Sequence, residues 1–170
     1  PYVSFGQMLE QAGVDDRFIP IFTAIMMGES SGRSGIDTVK SGLDPHKLKE
    51  YSIGLMQINT KAHMDKLNKL GYTMDDLRNP VKNLMVAMMV WDEWIDVQME
   101  DGKSLDKAKE IALDRWGSYR DGGYKEFLPQ AINAWSEHKR QSNLPVHERL
   151  ENMSPAAQQW IKNNGGYWVR

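Results

Sequence analysis

Two short stretches hold the side chains best suited to chemistry, and the first, Gly28-Glu29-Ser30-Ser31-Gly32, has two readings. As Gly-x-Ser-x-Gly it spells the nucleophile elbow of a serine hydrolase, with Ser30 attacking a carbonyl. As Glu-Ser after an apolar run, it makes Glu29 a carboxylic acid at the edge of a core. Phe18, Phe22, Ile25 and Glu29 follow at steps of four, three and four and so share one helical face. If Phe22 and Ile25 face inward, Glu29 emerges at the end of an apolar stripe. A carboxyl there loses hydration, its charged form is disfavoured and its pKa rises. That is what a general acid needs, since it must arrive protonated near neutral pH. The structural alternative is a helix that ends in a solvated glutamate.

The second stretch is Ser52-Ile-Gly-Leu-Met-Gln-Ile-Asn-Thr60. Its amides, Gln57 and Asn59, donate and accept hydrogen bonds without charge, which suits the hydroxyl and N-acetyl groups of a sugar. Gly54 admits close approach of the backbone. Asn59 has an equally good structural role as a cap on the helix that follows.

The elements that must position these residues are predominantly helical. Pro20 suits the first turn of a helix, and Ile21, Phe22, Ile25 and Met26 recur at helical spacing up to Glu29. Residues 32–53 are polar and Gly-punctuated and read as a long loop. A helix is expected from about Lys61 to Leu70, closed by Gly71. Thr73 caps a short turn with Asp76 three residues on. Asn79-Pro80 opens the longest helix, to about residue 100, with Trp91 and Trp94 in its apolar stripe. Ser104 caps another that runs to Trp116. A turn at Gly122-Gly123 leads to a helix near 124–140, which Pro129 starts or kinks. Residues 141–153 read as a linker, and Ser154-Pro155 begins a last small helix. A serine elbow needs a strand before the nucleophile and a parallel sheet around it. Helix precedes Ser30 here, and the Asp and His residues downstream, His138 among them, are scattered. The glutamate reading is preferred.

Together the two stretches resemble a family. "ESSG" followed by "SIGLMQIN" is similar to the Glu-Ser and Gly-Leu-Met-Gln motifs of the soluble lytic transglycosylase (SLT) domain, in the goose-lysozyme-like branch of the lysozyme superfamily. "NPVKNLMVAMMVW" resembles that family's long helix, with Asn83 at the matching place. In "RWGSYRDGGY", Trp116 stands where the family carries a tyrosine, Gly117 an asparagine and Tyr124 a later tyrosine. The loop between Glu29 and Gln57 is longer than usual. Trp116 also lacks a hydroxyl that would reach Glu29, which Tyr119 is placed to replace.

The resemblance implies a mostly α, lysozyme-like single domain over residues 1–140, with a cleft between helical lobes and little or no β-sheet. Residues 141–170 would be the linker and short C-terminal helix. It implies cleavage of the β-1,4 bond between N-acetylmuramic acid and N-acetylglucosamine, with Glu29 as acid and then base and no metal or cofactor. Ser30, Met56, Gln57, Asn59, Trp116, Tyr119 and Tyr124 would line the substrate, Ser30 also fixing the helix end. The nearest rival is a hydrolytic lysozyme with a second carboxylate about 6.5–9.5 Å away for inversion. Asp37, Asp44 and Glu50 are its candidates. A non-catalytic glycan-binding or structural virion module is the other.

Size and charge fit this picture. A chain of 170 residues suits one domain with its own core. The formal net charge of -2 carries no basic excess for nucleic acid, and the absence of cysteine excludes disulfides and thiolate metal sites. The eleven methionines read as packing. His46, His63, His138 and His147 have no metal-ligand spacing, and "DVQMEDGK" puts Val97 and Met99 where a calcium loop needs acids. No apolar run approaches the roughly 20 residues that span a bilayer. With no basic-then-apolar leader and Pro1 at the start, the expectation is a phage virion domain acting at the cell wall or periplasm. Its partners would be peptidoglycan strands and the rest of a larger virion or envelope-spanning protein.

Overall fold

A computed structural model describes residues 2–34, 37–39, 51–117 and 122–143, and in the C-terminal stretch 152, 154–156 and 159. Helices dominate. They are α1 (Tyr2–Gln11), α2 (Ile19–Glu29), α3 (Met64–Leu70), α4 (Pro80–Glu100), α5 (Leu105–Trp116) and α6 (Leu128–Ser142). A small antiparallel sheet of order β1-β2-β3 is built from Asp37–Val39, Tyr51–Ile53 and Ile58–Asn59. Its register pairs Asp37 with Ile53 and Ser52 with Asn59. The mostly α architecture is the one expected.

Helix α2 is the hub. It is apolar all round because it is enclosed by α1, α5 and α6, and Ile19, Phe22, Ala24, Ile25 and Met26 are essentially inaccessible. Pro20 sits in its first turn, where no backbone donor is lost. Trp91 of α4 centres the core. Phe22 meets its indole edge-on at 5.5 Å and 85°, and Phe18 does so at 5.8 Å and 67°. Trp116 joins from α5, 6.4 Å from Phe22 and 6.5 Å from Trp91. Such tilted pairs add to the area they bury.

Local signals fix the helix ends. The Asn79 side chain accepts the Lys82 N–H at 3.1 Å and starts α4, and Ser104 accepts that of Lys107 at 3.2 Å to start α5. Thr73 and Asp76 cap each other's backbone N–H groups ahead of a 3₁₀ turn at Asp75–Arg78. Gly71, at φ 69°, ends α3 in the left-handed conformation.

Three expectations are corrected and one unforeseen helix is added. Helix α1 precedes the first expected helix and packs on α2 and α6; at Gly6 an added Cβ would lie 2.5 Å from the Trp135 ring, so the two helices touch there through a missing side chain. Within the expected 32–53 loop, residues 37–39 and 51–53 are strands. Helix α3 starts at Met64, not Lys61, because turns occupy 60–63. Helix α6 starts at Leu128 with Pro129 in its first turn and continues through Ser142, past the expected start of a linker. Ser154 precedes helical Pro155 and Ala156 as expected.

Candidate active site

Glu29 is the last residue of α2 and is half-buried. Its Oε1 accepts a hydrogen bond from the hydroxyl of Tyr124, a residue 95 positions along the chain and only 1% exposed. Tyr124 lies against Gly117: a Cβ there would sit 3.0 Å from Gly123 Cα and 3.2 Å from the tyrosine ring. The glycine in place of the family's asparagine thus leaves room for this ring. The hydroxyl beside Glu29 therefore comes from Tyr124. Tyr119, the expected source, lies outside the described residues.

The chain leaves α2 through the Ser30 turn, which answers the first ambiguity. Ser30 is 2% exposed; its hydroxyl donates to the Leu55 carbonyl at 2.8 Å and accepts the Gly32 N–H at 3.1 Å. A helix rather than a strand precedes it, so it is no elbow nucleophile. Its bonds tie the end of α2 to the Gly54–Gln57 turn. Ser31 and Gly32 follow at φ 52° and 80°, the latter beneath the Phe5 ring, with no room for a Cβ.

That turn is held from the other side by Asn83 of α4, which is fully buried. Its Nδ2 donates to the carbonyls of Ile53 and Leu77, both at 2.8 Å, and its Oδ1 accepts the Met56 N–H at 3.0 Å. Gly54, at φ 78°, is required here, since a Cβ would fall 2.4 Å from both Asn83 Nδ2 and the Leu77 oxygen. Gln57 follows at φ 48°, an uncommon conformation for a residue with a side chain, and its amide nitrogen bonds the Gly54 carbonyl at 3.0 Å.

Several substrate contacts give way to internal ones. Met56 is wholly buried and offers its backbone N–H to Asn83 rather than its side chain to a sugar. Trp116, 8% exposed, faces Phe22, Trp91 and Trp94, because a large ring at the end of α5 gains more from core packing than from solvent. Ser30 is likewise committed inside. Asn59 accepts the Ala62 N–H at 2.8 Å and shapes the turn into α3, the structural alternative for it. Gln57 remains half-buried. Of the possible second carboxylates, Asp44 and Glu50 and the side chain of Asp37 lie outside the described residues. Asn83 was not among the residues expected to build the site; its place in the family-like helix motif was its one signal.

No helix among the described residues is long and apolar enough to cross a membrane. Neither a curated protein nor a solved structure matches the chain. The family described as Transglycosylase SLT domain matches residues 7–99, a stretch that carries Glu29, Ser30, Gly54, Gln57 and Asn83 and stops short of Trp116 and Tyr124. With more than half of its 170 residues so matched, the chain belongs to the transglycosylase SLT domain family, and its general function is the lytic-transglycosylase type of action on cell-wall peptidoglycan.

Proposed function

We propose that this chain is itself a catalyst, a lytic transglycosylase in which Glu29 is the sole acid and base. The observation that carries the reading is the Tyr124 hydroxyl bonded to Oε1 of a half-buried glutamate at the end of a buried helix. In this reading Glu29 arrives carrying a proton, with the tyrosine hydroxyl steadying its carboxyl at Oε1. Glu29 donates that proton to the glycosidic oxygen between N-acetylmuramic acid and N-acetylglucosamine as the bond to C1 breaks. The acetamido group of the muramic residue stabilises the cationic C1. The glutamate, now ionised, takes the proton of the muramic C6 hydroxyl while that oxygen bonds C1 and closes a 1,6-anhydro ring. The proton lost in the first half is regained in the second. An intramolecular hydroxyl has an effective concentration far above that of water, which favours ring closure over hydrolysis. Gln57, in the turn that Ser30 and Asn83 hold, is the amide offered to the substrate.

The test is a product analysis on purified sacculi. Anhydro-muropeptides are expected from the native chain, and a loss of at least about a thousandfold in Glu29→Gln. Reducing ends in place of anhydro sugars would convert the assignment to a hydrolase, and equal activity in both proteins would remove Glu29 from the chemistry.

A further inference from the structure

Beyond Glu29, the turn that carries Asn59 and the end of α5 converge on a second feature. Arg115 lays its guanidinium over the indole of Trp94 in α4, with Cζ 4.2 Å from the ring centroid. Trp116, the next residue, meets that indole edge-on at 5.4 Å and 66°. His63, whose N–H bonds the Asn59 carbonyl at 3.1 Å, brings its ring within 6.3 Å of Trp94. Arg115 is exposed and Trp94 half-buried, so the guanidinium rests on a platform with one side open to solvent.

Arg17, Arg78 and Arg140 each pair with a carboxylate two or three residues away and Arg33 bonds the Ser30 carbonyl, whereas Arg115 lies over an indole with no anionic partner among the described residues. Lys66, three residues beyond His63, is engaged by Glu93 at 2.7 Å. Burial pushes His63 below its ordinary value, and Lys66 and Arg115 push it the same way, so its imidazole is neutral at pH 7. The guanidinium over Trp94 is thus an exposed positive charge next to a half-buried indole. A guanidinium carries a fork of N–H groups that can meet a carboxylate through two parallel, charge-assisted hydrogen bonds, a stronger contact than it makes with a neutral sugar hydroxyl.

Position relates this platform to the acid. Gly117 follows Trp116 and packs on Tyr124, the partner of Glu29, and His63 is anchored to the turn just beyond Gln57. Both segments that build the candidate active site run directly into the cluster. We propose that Arg115, supported by Trp94 and walled by His63 and Trp116, is a subsite for a carboxylate carried by the glycan strand. That carboxylate is either the lactyl group of bare muramic acid or a carboxylate of the attached peptide. The proposal rests on peptidoglycan being the ligand and does not require turnover.

The experiment measures binding in the Glu29→Gln background, with and without Arg115→Gln, to three ligands: chitooligosaccharide, which has no carboxylate, bare muramyl strands, and peptide-bearing strands. Removing the guanidinium should weaken carboxylate-bearing ligands about tenfold and leave chitooligosaccharide unchanged. Loss on both muramyl ligands identifies the lactyl group, and loss confined to peptide-bearing strands identifies the peptide. Arg115→Lys should recover only part of the affinity, because it keeps the charge without the fork. Equal weakening on all three ligands, or on none, overturns the subsite. If the native chain releases nothing from sacculi, the catalytic reading fails while this comparison still decides the subsite.

Discussion

The Glu29 carboxyl accepts the Tyr124 hydroxyl at Oε1, and that hydroxyl can be removed while the buried ring stays in place. Tyr124→Phe keeps the buried ring against Gly117 and removes only the donor. Turnover of sacculi should fall roughly 10- to 100-fold, as for loss of one group that orients a general acid. The bond to Glu29 is worth about 1–1.5 kcal/mol of stability. Turbidity clearance read beside a thermal melt separates the two effects, and full activity in the variant would mean that Tyr124 does not hold the acid. Gly54→Ala acts differently. It meets a positive φ and a Cβ position 2.4 Å from Asn83 and Leu77, neither of which can move without breaking the Asn83 bonds. A loss of about 2–4 kcal/mol is expected in chemical denaturation. Motif spacing flagged both Glu29 and Tyr124, but it put Tyr124 on the substrate and looked to Tyr119 for the hydroxyl, because a contact across 95 residues leaves no local signal. The facing of Met56 and Trp116 was not legible either, because a residue lining a cleft and one a layer deeper share the same neighbours along the chain.

Elements were legible where their ends carry their own chemistry. Asn79-Pro80, Ser104, the Thr73–Asp76 pair and Gly71 each satisfy backbone groups that a helix end leaves open, so α4, α5 and the end of α3 fell close to their expected places. Replacing Asn79 by alanine should cost about 1 kcal/mol in a thermal or denaturant melt, with activity per folded molecule retained. The sheet was illegible because strands of two or three residues are too short to display alternation. Helix α1 was illegible for a different reason: it has Gly6 in its interior, and its apolar residues acquire a purpose only against α2 and α6. There two effects oppose each other. Gly6→Ala raises helix propensity by up to about 1 kcal/mol. Its Cβ, however, would lie 2.5 Å from the Trp135 ring, and overpacking of that kind costs about 1–3 kcal/mol. Packing should win, and the variant should melt below the native protein; a rise in melting temperature would show that α1 and α6 can separate cheaply.

At the scale of the molecule, one carboxylate ties the start of the α2 hub to α6. Asp16 accepts hydrogen bonds from Lys139 at 2.8 Å and from the Trp135 indole at 3.1 Å, and these hold its pKa below the ordinary 3.8. The folded state thus binds its proton less readily than the unfolded chain. The stabilisation is present above the unfolded value and is lost as pH falls through the lower, folded one. His63 acts in a higher window. Its pKa is depressed by burial, so the unfolded chain takes up a proton that the folded chain resists as pH drops below about 6.5. Stability should therefore decline from pH 7 to pH 5, and His63→Phe should flatten that part of the curve while leaving the decline below pH 4 in place. Melting temperatures at half-unit steps provide the check, and an unchanged slope between pH 7 and pH 5 in the variant would remove His63 as the cause.

The span between Glu29 and Tyr124 has a corollary for how the protein gains and loses its power. The acid belongs to the first third of the chain, but the hydroxyl that steadies it arrives only after α4 and α5 have been laid down and docked. On the proposed mechanism, a polypeptide cut short before Tyr124 would hold every residue of the leading motifs and lack the hydroxyl on Glu29, so turnover per molecule would gauge whether the whole body has come together.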